Sequence, residues 1–125
     1  MIPEVAALDR AIARTGETVT LRRTTGTTPQ VNYDVILSAL VRGYKASELI
    51  SGSGIVQGDA LVSLSPSGLD RAQWPGGQAP NTAGDVRVPR VGDKIIRQGK
   101  TTAVQSANPF YVRGELARIE VQIRG

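Results

Sequence analysis

Cysteine and histidine are both absent from this chain, and together the two absences remove much familiar catalytic chemistry. Without cysteine there is no disulfide framework and no thiolate metal site. Ser-His and Cys-His nucleophile pairs go too, as do zinc sites with imidazole ligands. Aromatic residues are scarce, with one Phe, one Trp and three Tyr. The core must therefore rest on Val, Ile, Leu and Ala, and a stacking platform for single-stranded nucleic acid has few members to draw on. No apolar run approaches the roughly 20 residues that span a bilayer, so no membrane partner is expected. No basic segment followed by an apolar stretch opens the sequence, so no secretory signal is expected.

What is present points to one folded unit. At 125 residues, with 40% hydrophobic and 21% charged residues, residues 1–125 suit a single domain with a single core. The net charge of +4 is unevenly placed. Residues 86–125 hold eight Lys or Arg against Asp93, Glu115 and Glu120, a balance of +5; residues 1–85 hold seven basic and eight acidic groups, a balance of −1. A basic half can follow a polyanion, or it can be a solvated strand face whose cations discourage edge pairing.

The pattern is mainly β. Pro3 and Glu4 suit a first helical turn, and Val5, Leu8 and Ile12 recur at helical spacing, which predicts a short helix over about residues 4–15 with Gly16 as its stop. Residues 17–125 are β-rich. Thr18–Arg23, Tyr33–Arg42 and Ile55–Ser65 read as strands, with the Thr24–Pro29 segment as a turn or loop. Lys94–Arg97 and Thr101–Ser106 flank a turn at Gln98-Gly99-Lys100, and Asn108-Pro109 is read as a break. From Leu116 to Arg124, Ala117, Ile119, Val121 and Ile123 alternate with Arg118, Glu120, Gln122 and Arg124, the mark of a strand with one buried face. Gly58-Asp59 and Gly92-Asp93 read as two similar turns feeding strands. About six strands at short spacing predict a small antiparallel β-barrel or sandwich with one N-terminal helix and long loops.

Two segments interrupt this pattern. Residues 44–58 contain Lys45 and the small, polar run Ser51-Gly52-Ser53-Gly54, a candidate channel or subunit-interface loop. Residues 66–85 hold a helical turn around Leu69–Gln73 and then a Gly- and Pro-rich loop containing Trp74, Pro75, Gly76 and Gly77, a candidate interface loop. Long loops of this kind often bind or become ordered against a partner. Trp74 itself reads as an anchor of the loop to the core. No catalytic residue, cofactor or metal ligand is assigned: the eleven acids form no cluster with metal-ligand spacing, and Gly52-Ser53-Gly54 lacks the Lys-Ser or Lys-Thr that completes a phosphate loop. An enzyme is not expected.

Five segments carry a resemblance: LDRAIARTGETVTLRR (Leu8–Arg23), VRGYKASELI (Val41–Ile50), VQGDALVSLSPSGL (Val56–Leu69), VPRVGDKIIRQGKTTAVQSANP (Val88–Pro109) and ELARIEVQIRG (Glu115–Gly125). In their order of turns and strands they resemble the small β-barrel head-completion proteins of long-tailed bacteriophages, also called stoppers, head-closure or head–tail joining proteins. The N-terminal helix departs from the plainest members, which begin with a strand. The resemblance implies a structural virion protein of the head–tail neck, made in the bacterial host cytoplasm. It would form a ring with itself, six-fold or alternatively twelve-fold, beneath the portal and adaptor, closing the DNA-filled head and docking the tail. Its implied partners are portal and adaptor proteins, tail terminator or tail tube proteins, and packaged double-stranded DNA in the channel. A tail terminator or other neck joining protein is the nearest alternative. A nucleic-acid-binding barrel of the oligonucleotide-binding type is the alternative from another class, with Tyr33, Tyr44, Trp74, Phe110 and Tyr111 as its stacking candidates.

Overall fold

A computed structural model describes residues 2–25, 29–44, 55, 58–74 and 87–125. Helix α1 (Pro3–Thr15) opens the chain with Pro at its first turn, where its missing N–H costs nothing. Val5, Leu8 and Ile12 form its buried stripe, as the spacing predicts. Gly16 ends it for a reason other than a left-handed turn. Its backbone is extended at φ −78°, and a Cβ there would lie 2.5 Å from the Ile12 carbonyl oxygen and 3.0 Å from that of Ala39. Glycine is needed because the helix end and the barrel wall approach too closely for any side chain.

Six strands follow: β1 (Glu17–Thr25), β2 (Val31–Gly43), β3 (Ala60–Leu64), β4 (Lys94–Arg97), β5 (Lys100–Val112) and β6 (Glu115–Arg124), with helix α2 (Pro66–Ala72) between β3 and β4. They close into an antiparallel barrel in the order β1-β2-β3-β6-β5-β4, with β4 returning to β1. Closure settles the choice between barrel and sandwich. Alternation in β6 places Ile119, Val121 and Ile123 inside, each at most 2% exposed. They meet Val19 and Leu21 of β1, Val35 and Leu37 of β2, Val62 and Leu64 of β3, and Ile95 and Val104 of β4 and β5.

Three boundaries differ from the sequence reading. The strand expected from Ile55 begins only at Ala60, because Gly58 adopts φ +95° and turns the chain into β3. The helical turn expected around Leu69–Gln73 is the longer α2, started by Pro66 and by the Ser65 hydroxyl, which accepts from the Ser67 N–H, and ended by Gln73 in the left-handed region. Asn108-Pro109 is no break: β5 runs through it, pairing Pro109 with Ile119. Beyond Ala103, β5 has no β4 residue beside it, so Pro109 can turn its missing N–H to the open edge and leave the β6 ladder intact.

Helix α2 seals the barrel where β3 stops. β3 covers only Leu40–Gly43 of β2 and Ile119–Ile123 of β6, and α2 then bridges the same two strands. Leu69 is fully buried there. A Cβ at Gly68 would sit 2.5 Å from Leu37 Cδ2, so the helix backbone lies directly on the core. Trp74 completes the seal: it is 5% exposed, and its Nε1–H donates to the Tyr33 carbonyl at 2.8 Å. At Tyr33 β2 has β1 on one side and, among the described residues, no strand on the other, so the indole stands in for a ladder donor.

Candidate functional site

Lys45, Ser51, Gly52, Ser53 and Gly54 of the first candidate loop, and Pro75, Gly76 and Gly77 of the second, lie outside the described residues. Trp74 is described, and its ring belongs to the core and offers no face to a partner. The organised features of the described surface lie elsewhere, at two Gly-Asp turns and in one groove.

Both Gly-Asp turns use a glycine at positive φ and bury the aspartate that follows. Asp59, ahead of β3, accepts from Gln122 Nε2 at 2.8 Å and from Arg124 Nε and Nη2, both at 2.9 Å. That carboxylate holds the Arg124 guanidinium above its ordinary range, chiefly through the hydrogen bonds. Asp93, ahead of β4, takes Arg23. Arg23 Nη2 lies 2.9 Å from Asp93 Oδ2, with both side chains 4% exposed. The guanidinium also donates to the Val88 carbonyl at 3.1 Å and stacks 4.6 Å from the Trp74 ring centroid. The Arg90 N–H donates to Asp93 Oδ2 at 3.0 Å, and the Asp93 N–H returns to the Arg90 carbonyl at 2.9 Å. A turn tied in both directions to a buried ion pair is rigid. It presents Val91, 76% exposed, between the exposed Arg90 and Lys94.

A groove of about 520 Å³ lies between α1 and the outer faces of β2, β5 and β6. Ala7, Leu8, Leu40 and Phe110 make it apolar, and Glu4 and Glu120 stand at its rim with Arg118. Register builds it: Leu40 is level with Ser63 and Ser63 with Glu120, one row across β2, β3 and β6. Arg118 Nε is 3.8 Å from Glu120 Oε1, too far for a hydrogen bond, and this buried nitrogen has no acceptor.

The stacking candidates are scattered. Tyr33 is 38% exposed on β2, and the Tyr44 ring lies under the Arg42 guanidinium, 5.6 Å from its carbon. Phe110 and Tyr111, each about half exposed, are successive residues of β5 and so face opposite ways. They form no common platform. Among the described residues no three carboxylates gather as a metal site, and no helix is long and apolar enough to cross a membrane.

The sequence reading missed the burial of Asp59 and Asp93. The signal available was the repeated Gly-Asp before a β-run, although their arginine partners, 65 and 70 residues away along the chain, carry no local mark. Comparison with family models, with curated proteins and with solved structures found no match to this chain.

Proposed function

We propose that this protein is a structural component of a long-tailed phage neck. It forms a ring beneath the portal and adaptor, closes the filled head and docks the tail. The observation that carries the reading is a filled barrel whose buried charges, Asp59 and Asp93, are used to hold turns. Its interior is occupied by side chains such as Leu21, Leu64, Ile95 and Ile119, each with no exposure, so what it offers a partner is its outer surface. What supports the resemblance is the run of antiparallel strands with turns at Gly58-Asp59 and Gly92-Asp93; the leading helix is a departure from the plainest members. The scattered aromatic rings weigh against the oligonucleotide-binding alternative.

The test is genetic. Particles made without this chain should fill their heads and then lose DNA, with tails left unjoined, seen by electron microscopy and by nuclease sensitivity of the packaged genome. Sealed heads beside unjoined tails would move the chain to the tail-terminator position. Sealed heads joined to tails would refute the reading.

A further inference from the structure

The rigid Val91 turn and the α1 groove fit one another in shape and in charge. Val91 is the most exposed of the large apolar side chains among the described residues. Its flanking cations, Arg90 and Lys94, make no ion pair within the described part of the chain. The groove is apolar in the middle, lined by Ala7, Leu8 and Phe110, and carries the carboxylates Glu4 and Glu120 at its edge. An apolar knob between two cations thus faces, in another copy, an apolar pocket that carries two carboxylates and one guanidinium, Arg118, a net negative lining.

We infer that the Val91 turn of one copy seats in the α1 groove of the next, so that this protein assembles head to tail with itself. The inference takes the ring reading above as its premise and names the contact that would build the ring. Topology supplies the geometry. The turn leads directly into β4, while the groove is lined by α1 and by residues of β2, β5 and β6, none of them part of the turn. Knob and groove are therefore two separate patches of one copy. A contact between two different patches repeats from copy to copy, and it closes into a ring when the rotation per step divides a full turn. The buried Arg23–Asp93 pair gains a purpose in this arrangement. It holds the knob in its bound shape beforehand, so less freedom is lost on association. Arg118 Nε, without an acceptor among the described residues, lines the groove and leaves a donor there for an incoming carbonyl.

The absence of cysteine makes the test clean. In the full chain, Ala7→Cys and Val91→Cys are introduced singly and together, with Arg14→Cys/Val91→Cys as the control pair. All three positions are solvent-facing, and folding is checked by circular dichroism. Under mild oxidation the Ala7→Cys/Val91→Cys protein should give a ladder of covalent oligomers, and an equimolar mixture of the two single variants should give a linked dimer that goes no further. Val91→Asp should weaken association of the otherwise unaltered chain at least about tenfold in sedimentation. Equal ladders from the test and control pairs, or unlinked cysteines in a protein that still oligomerises, would overturn this contact and leave the ring reading standing. A wild-type chain that stays monomeric to about 1 mM would also overturn the contact. The neck reading would then rest on particle genetics alone.

Discussion

Replacing Asp93 by Asn separates charge from shape at the most buried polar point of the fold. Asn keeps an oxygen for the Arg90 N–H but takes from the Arg23 guanidinium, 3% exposed, the carboxylate that lies 2.9 Å from it. Removing one member of a buried ion pair costs about 3–5 kcal/mol, because the remaining ion is neither solvated nor paired. Against a total stability of about 5–15 kcal/mol for a domain of this kind, that is a large fraction. At about 4 °C per kcal/mol for a chain of this length, the melting temperature should fall by roughly 12–20 °C. Arg23→Leu/Asp93→Asn removes both charges and should recover most of the loss, because a hydrophobic side chain under Trp74 avoids stranding an ion. The neighbouring strand position supplies the control. Arg22 and Asp34 make an equally short two-pronged pair at 2.9 Å, but their side chains are 34% and 38% exposed. Arg22→Gln should therefore shift melting little, since solvent screens and replaces an exposed pair. Thermal melts followed by far-ultraviolet circular dichroism would measure all four proteins. An Asp93→Asn melting point within about 4 °C of wild type, equivalent to about 1 kcal/mol, would refute the reasoning. A double variant less stable than Asp93→Asn would do so as well.

Other substitutions address other parts of the fold. Val121→Asp places a carboxylate where exposure is zero, and should cost several kcal/mol and leave little folded protein by circular dichroism or expression. Gly16→Ala should destabilise by about 1–3 kcal/mol in urea titrations, because the new Cβ meets two carbonyl oxygens that cannot both move. Trp74→Phe keeps the ring but deprives the Tyr33 carbonyl of its donor, so a loss of about 1–3 kcal/mol is expected in the same titration. For pH, the Arg22 hydrogen bonds hold the Asp34 carboxyl below its ordinary range. A lowered pKa means stability that is present above the unfolded value of about 4 and lost as pH falls through the folded value. The advantage of wild type over Asp34→Asn should thus be steady near neutrality, vanish in acid and shrink in salt. An advantage that grows in acid would contradict the pairing.

Periodicity is a local property, and what rests on it could be read directly from the sequence. Val5, Leu8 and Ile12 marked the buried stripe of α1, and Ile119, Val121 and Ile123 marked the inward face of β6, because side-chain direction repeats every 3.6 or two residues whatever the rest of the chain does. The mainly β class, the approximate number of strands and the role of Trp74 as an anchor followed from the same local signals. Contacts between distant residues were not legible. Pro109 looked like a break because its own backbone disfavours a ladder, and only an open edge beside β5 lets the strand continue. Gly16 looked like an ordinary helix stop, whereas the demand for glycine comes from the Ile12 carbonyl at the helix end together with the Ala39 carbonyl of β2. Barrel closure depends on β4 returning to β1, a pairing over some 75 residues that no short pattern encodes. The same holds for the knob and groove. Val91 and Ala7 are unremarkable positions in the sequence, and only the folded chain sets one on a rigid turn and the other beside an apolar groove.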